Sequence, residues 1–439
     1  MKKTESLIAI SFLLVIIFGA LLLMLPFSTT EGSIHPVDAL FTSASAVTVT
    51  GLVVMNTEKD FTLFGQVVIM LLIQIGGLGF MTFSTFVIIL MEKAVSLKDL
   101  SVIDATFTPG SYKSARDLAR KIVLMTFGIE FLGALSLFFQ FTQLKGLHRV
   151  FASVFHAVAA FCNAGFSIFS NNFENYPTHW GVNITIMMLI IIGGIGFLVL
   201  NDVSRFIRRK IKHLSKLTLH SKLVLITTGI LIVGGFLIIF IEELLNPNSP
   251  FSLEVKILSS LFHSVAARTA GFNTVNLNFF SLGSIFILIL LMFIGASPGS
   301  TGGGIKTTSA STVLFYFRSR LKGKEMVEVF YRSIPVKNIE KGFIVIIISS
   351  VLVGFSFFLL LTFEPKFRPI DLFFETVSAF GTVGLSLGIT SKLTILSKLT
   401  IIFTMYAGRI GPLTLLLALS HRKESRAVLK YPEEEIMMG

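Results

Sequence analysis

Four short stretches of this 439-residue chain share a residue pattern able to hold a bare cation. Each closes in a turn of small residues with one glycine: "TVTGL", "CNAGF", "RTAGF" and "GTVGL", carrying Gly51, Gly165, Gly271 and Gly384. The glycines lie 114, 106 and 113 residues apart, which marks one unit recurring four times. Glycine admits positive φ, so successive carbonyls can face the same way. Four such turns about one axis would stack main-chain oxygens in rings, and carbonyl rings replace the hydration shell of a monovalent cation. The candidate oxygens belong to Val49, Thr50 and Gly51, to Asn163, Ala164 and Gly165, to Thr269, Ala270 and Gly271, and to Thr382, Val383 and Gly384. Few carboxylates lie near the turns. That favours an ion held by dipoles over a divalent ion, which takes fixed charge.

A second stretch, "ASPGSTGGGIKTTSAS" at 296–311, has the look of a phosphate cradle. The phosphate-loop pattern is G-x-x-x-x-G-K-[ST]. Gly299 and Gly304 have that separation, but Ile305 intrudes before Lys306, and the stretch follows "SIFILILLMFIG" rather than a buried strand of a soluble domain. A nucleotide-handling enzyme therefore has only this near-miss in its favour.

The elements that must position these residues are membrane helices. The chain is 53% hydrophobic and only 14% charged, against about 25% charged in a soluble domain. The net charge of +12 has no compact basic domain to carry it, so nucleic acid is not an expected partner. The single cysteine, Cys162, excludes an intramolecular disulfide framework and a cysteine metal cluster. The first apolar run is too long for a signal core and reads as a retained span. Eight segments reach the roughly 20 apolar residues a bilayer needs: 7–26, 62–91, 121–141, 181–204, 221–242, 280–296 with its polar continuation, 342–363 and 393–420. The segments 92–121, 205–222, 318–341 and 421–430, with Lys2 and Lys3, hold 26 of the 37 lysines and arginines. Basic loops stay inside, so both termini are expected in the cytoplasm of a multi-pass cell-membrane protein.

Between the two spans of each pair lies a stretch of 11 or 12 residues: "VDALFTSASAV", "VFASVFHAVAAF", "ILSSLFHSVAAR" and "IDLFFETVSAF". That is too short to cross and suits a re-entrant helix. Its C-terminal, partly negative end would point at the axis and favour a cation. The descending spans repeat as well, with "IGGLGF", "IGGIGF", "IGASPG" and "AGRIGP" at matched distances after the turns. The predicted fold is an all-α integral membrane protein. Four pseudo-symmetric membrane helix–pore helix–membrane helix repeats surround one central pore, giving eight transmembrane helices and four re-entrant pore helices. The repeats are placed at 1–92, 115–210, 217–320 and 338–422, followed by a cytoplasmic tail at 423–439. A carrier with alternating access is the alternative, but it more commonly shows a two-fold repeat.

"SASAVTVTGL", "FCNAGFS", "ARTAGFNTVN" and "SAFGTVGLS", with "GASPGSTGGGIKTTS" and "MYAGRIGPLT", resemble the superfamily of K⁺ transporters that includes KtrB and TrkH. The length resembles the KtrB branch. The resemblance implies K⁺ uptake through a filter of the twelve carbonyls named above, supported in some members by Na⁺. It also implies a homodimer in membrane lipid and a cytosolic nucleotide-binding ring of the KtrA or TrkA kind. Nucleotide is then expected only on that partner, with no tightly bound cofactor on this chain. Some plant relatives that favour Na⁺ carry serine at the first filter glycine, so Gly51 implies K⁺.

Pro298 and the glycines at 302–304 should break the third descending helix. In the family this stretch is an intramembrane gating loop beneath the filter. The candidate gate is Gly299, Ser300, Thr301, Gly302, Gly303, Gly304, Lys306 and Arg409. Lys306 would be an electrostatic barrier, or else snorkel to the inner interface. Arg409, an ionisable residue within a span, should face the interior, either at the constriction or as a partner for backbone carbonyls. Glu130 reads as a hydrogen-bonded or protonated interface residue, or else as a contact of an ion or of Arg409. Arg268 reads as a pore-helix anchor or a tuner of entry, and His156 and His263 as packed or hydrogen-bonded residues rather than metal ligands.

Overall fold

The computed structural model describes residues 2–79, 115–208 and 217–419. The predicted tail at 423–439, the inner segment 92–114 and the end of the second predicted span lie outside the described residues.

Fifteen described helices follow in order. They are α1 Lys2–Leu23, α2 Pro36–Val47 and α3 Leu63–Gly77; then α4 Ala115–Gln140, α5 Gly146–Phe161, α6 Trp180–Ile195 and α7 Phe197–Arg208. After these come α8 Leu219–Leu245, α9 Leu253–Ala266, α10 Leu282–Phe293 and α11 Thr307–Leu321. The last are α12 Val336–Phe363, α13 Pro369–Gly381, α14 Ile395–Ile410 and α15 Pro412–Leu419. A two-residue hairpin, Glu328–Val329 with Arg332–Ser333, joins α11 to α12.

Arg120–Gln140, Leu219–Leu245 and Val336–Phe363 are each long and apolar enough to span a bilayer, and 28% or less of each is buried within the molecule. The uncovered faces carry Phe127, Phe131, Ile230 and Val351, all exposed, which a bilayer rather than water must cover. The chain is an integral membrane protein. Trp180–Ile195 and Phe197–Ile207 reach the same length together, but bend by 104° between them. The sequence reads 181–204 and 393–420 as continuous spans. The structure breaks both, at Gly196 and Gly411, each with φ of 92°. The third descending helix stops at Phe293 and leaves residues 294–306 without helix, as Pro298 and the glycines imply.

The short helices α2, α5, α9 and α13 run 12, 16, 14 and 13 residues. Each packs along the long helix before it, and along α2, α9 and α13 nearly every residue of the C-terminal half is buried. Small residues such as Ser43, Ala44, Ser45 and Ala46 permit that density. The descending helix of each unit also touches the short helix of the next: α3 meets α5, α6 meets α9 and α10 meets α13. Finally α14 returns to α2, so the four units close on themselves.

Candidate functional site

The closed arrangement brings the four glycine turns together. In each turn two residues have positive φ: Val49 and Gly51, Asn163 and Gly165, Thr269 and Gly271, Thr382 and Gly384. The residue between them does not, so handedness alternates along every turn. The backbone donors are pinned backwards into the short helices. Thr50 N–H donates to Ser45 O at 2.8 Å, Ala164 N–H to Ala159 O at 2.7 Å, and Val383 N–H to Ser378 O at 2.8 Å. In the third turn Ala270 N–H reaches four residues back instead of five, to Ala266 O at 2.9 Å. That unit is one residue shorter here: His263 precedes Gly271 by eight residues, whereas His156 precedes Gly165 by nine. Gly51 N–H and Gly384 N–H are held by the hydroxyls of Ser45 and Ser378, at 3.0 and 3.1 Å. A trans peptide carries N–H and C=O on opposite edges. Pinning these donors back therefore turns the carbonyls of Val49, Thr50, Asn163, Thr269, Thr382 and Val383 away from the helices.

The four turns adjoin one another. A methyl group added at Gly51 would lie 2.9 Å from Gly165 Cα, and one at Gly165 would lie 2.9 Å from Ala270 O. One at Gly271 would lie 3.0 Å from Gly384 Cα, and one at Gly384 would lie 3.0 Å from Gly51 Cα. The circuit from first turn to second, third, fourth and back is complete. At these positions glycine supplies both the backbone conformation and the room for the neighbouring turn.

Above the ring opens a cavity of about 490 Å³ with all four glycines in its floor. Its walls carry the carboxamides of Asn56, Asn171, Asn172, Asn273, Asn276 and Asn278, and Glu174 is the sole carboxylate among its described lining residues. Burial pushes the Glu174 carboxyl up from its ordinary value, against a hydrogen bond from Asn273 Nδ2 at 2.7 Å. The funnel is thus rich in amides, with one carboxylate among its described lining residues.

Beneath the ring lies the 294–306 stretch. Thr301 Oγ1 is 3.4 Å from the Asn163 carboxamide, Gly302 abuts Thr269 Oγ1, and Gly303 N–H donates to Thr382 Oγ1 at 3.0 Å. The loop thus meets the first residue of three of the four turns. It is tied sideways by Ser297 N–H to Gly194 O at 3.1 Å, Thr301 N–H to Gly193 O at 3.3 Å, and Gly304 N–H to Gly408 O at 3.3 Å. Gly299 O accepts from Phe197 N–H, and the Ser300 hydroxyl donates to Ser297 O at 2.6 Å. Lys306 Nζ folds back onto Gly302 O at 2.7 Å, on the loop rather than out at an interface. Arg409 donates to Thr301 O through Nη1 and to Gly76 O through Nη2, tying the loop to the first descending helix. The four turns and the loop beneath them therefore form one contiguous column of contacts.

Glu130 stands aside from that column. It is buried, accepts from Gln74 Nε2 at 3.2 Å and lies 3.8 Å from Cys162 Sγ. Arg268 is buried, with Nε and Nη1 lacking a partner among the described residues. Sequence reasoning missed Glu375, a buried carboxylate on α13 that accepts from Ser386 Oγ at 2.8 Å and from Thr390. The available signal was its place nine residues before Gly384, the spacing of His156 from Gly165. Gly76, Gly193 and Gly408 were read only as repeat markers. Methyl groups there would lie 2.7, 3.0 and 2.8 Å from the carbonyl carbons of Val47, Phe161 and Phe380. These glycines let each descending helix approach the end of its own short helix.

The chain is 41% identical over 435 residues to the Ktr system potassium uptake protein B of Bacillus subtilis, covering 98% of this chain and 96% of that one. It is 36% identical over 443 residues to the potassium/sodium uptake protein NtpJ of Enterococcus hirae, covering 99% and 97%. The crystal structure of the potassium transporter TrkH from Vibrio parahaemolyticus matches with a TM-score of 0.78 at 17% identity, over 96% of this chain and 85% of that one. That likeness bears on the fold. The relatives are named as transporters, not enzymes. The family model for TrkH, described as cation transport protein, matches residues 2–431, and the chain belongs to that family.

Proposed function

We propose that this chain is the ion-conducting membrane subunit of a K⁺ uptake system. The observation that carries the reading is the closed circuit of four turns with alternating handedness, each with N–H groups pinned outward. The fold is four membrane helix–pore helix–membrane helix repeats, with eight transmembrane helices and four re-entrant pore helices. K⁺ enters the amide-lined funnel, sheds water and is held by the carbonyls of 49–51, 163–165, 269–271 and 382–384. The carbonyl dipoles and the C-terminal ends of α2, α5, α9 and α13 supply the negative potential. The loop 299–306 with Arg409 is the gate: its glycines let the backbone reshape, and Arg409 holds it in place. The names of two relatives, a Ktr system protein and a potassium/sodium uptake protein, support K⁺ as cargo and Na⁺ as a supporting ion.

The assembly is a homodimer with both termini in the cytoplasm, governed by a cytosolic nucleotide-binding ring of the KtrA or TrkA kind. The basic inner segments suit an acidic docking face. Expression in cells lacking K⁺ uptake systems tests the reading. Growth at low K⁺, improved by a cytosolic partner gene, is expected; failure to restore growth with protein present in the membrane refutes it.

A further inference from the structure

The side chains behind the ring are not four-fold. His156 on α5 is fully buried, with Nδ1 2.7 Å from Ala152 O and Nε2 2.9 Å from Ser167 Oγ. A carbonyl only accepts, so the ring proton sits on Nδ1, and Nε2 accepts from the Ser167 hydroxyl. Ser167 Oγ in turn accepts from Phe169 N–H at 3.0 Å. The imidazole is walled in by Phe141, Phe155, Phe169 and Phe173, with centroids 4.4 to 5.8 Å away. Ser167 stands two residues beyond Gly165, at the outer lip of the second turn. The fourth unit repeats the device with a different chemistry: Glu375 accepts from Ser386, two residues beyond Gly384.

The other two units lack it. Two residues beyond Gly51 stands Val53, which has no hydroxyl. In the third unit His263 Nδ1 lies 2.8 Å from Ser259 O, but Nε2 has no partner among the described residues. Asn273, at the lip there, is engaged by Glu174 and Val275 O instead. The circuit runs first, second, third, fourth, so the two braced turns face each other across the axis.

We propose that His156 and Ser167 form a positioning pair that holds the lip of the second turn outward and thereby sharpens ion discrimination. The proposal rests on the reading of the ring as a K⁺ filter. To coordinate the smaller Na⁺, the carbonyls must draw inward. A lip pinned to a buried, immobile imidazole resists that contraction, while K⁺ needs none. Losing the pin should favour Na⁺ selectively rather than slow both ions.

The test uses the full-length chain in liposomes, with competing K⁺, Rb⁺ and Na⁺ fluxes measured for the parent, Ser167→Ala and Ser167→Thr at matched membrane amounts. Removing one net hydrogen bond changes an equilibrium by about two- to ten-fold. Ser167→Ala should therefore lower the K⁺/Na⁺ ratio of apparent affinities by that factor, and Ser167→Thr, which keeps the hydroxyl, should restore it. If Ser167→Ala fails to reach the bilayer, Ser167→Cys, with a weaker donor of similar shape, gives the same reading through a smaller shift. An unchanged ratio, or proportionate loss of both fluxes, overturns the positioning role. A parent that does not prefer K⁺ instead overturns the filter reading beneath it.

Discussion

Arg409→Gln should open the pore. In the closed arrangement the guanidinium holds Thr301 O and Gly76 O at once, joining the loop to a helix of the opposite half. Hydrogen bonds from a charged donor are worth about 1.5–3 kcal/mol each. Glutamine is uncharged, is shorter and carries one donor group, so it cannot span both oxygens and at least one such bond is lost. Two of the remaining ties are long, while Gly303 N–H to Thr382 Oγ1 and Phe197 N–H to Gly299 O keep an ordinary 3.0 Å. Thr301 N–H to Gly193 O and Gly304 N–H to Gly408 O are both 3.3 Å, beyond the usual 2.7–3.2 Å range. A loss of about 1.5–3 kcal/mol moves the loop equilibrium about 10- to 150-fold toward the displaced state. K⁺ flux into liposomes should rise by about ten-fold or more, saturating once the loop is mostly open, with K⁺ still preferred because the ring is untouched. Arg409→Lys, a point charge reaching one oxygen at a time, should fall between. Flux equal to or below the parent at equal protein would refute the loop as the obstruction and Arg409 as its latch.

Three further outcomes follow from the same geometry. Deleting 300–304 should raise cation flux without loss of selectivity, and unchanged flux through a well-folded deletion would count against the gate. Gly51→Ala places a methyl against Ala164 O at a φ of 91°; such backbone strain is worth about 1–3 kcal/mol, so the K⁺/Na⁺ affinity ratio should fall by about five-fold or more. Glu364, at the end of α12, is buried, which by itself would raise its carboxyl, but hydrogen bonding to Thr394 and nearby Lys366 outweigh burial and hold it below 4.5. The unfolded chain then takes up the proton first, so this stabilisation is complete at neutral pH and erodes as pH falls below 4.5 through the folded value. The melting temperature in detergent should drop on acidification in the parent and less steeply in Glu364→Gln.

Much of the site was readable from the chain because its constraints are local. A glycine turn after a helix too short to cross is a demand of backbone geometry, and it recurs four times. The loop at 294–306 was readable for the same reason, since proline and consecutive glycines defeat a helix wherever they stand. The breaks at Gly196 and Gly411 were not readable, because one glycine in an apolar run is usually tolerated in a helix. At Gly196 the φ of 92° goes with a neighbour distant in sequence, Pro298 O, part of the loop. Glu375 escaped notice because its partners Ser386 and Thr390 come after the turn, where only the fold brings them back. The twin donor ties of Arg409 likewise join residues more than 100 positions apart.

The central claim is that four turns share one axis and present their oxygens to a dehydrated alkali ion. Diffraction from crystals of the full chain grown in Rb⁺ or Tl⁺, with anomalous maps, tests it most directly. Anomalous peaks are expected in single file on the axis, between the carbonyls of 49–51, 163–165, 269–271 and 382–384. Peaks lying instead against side-chain carboxylates, with the axis empty of ions, would contradict it.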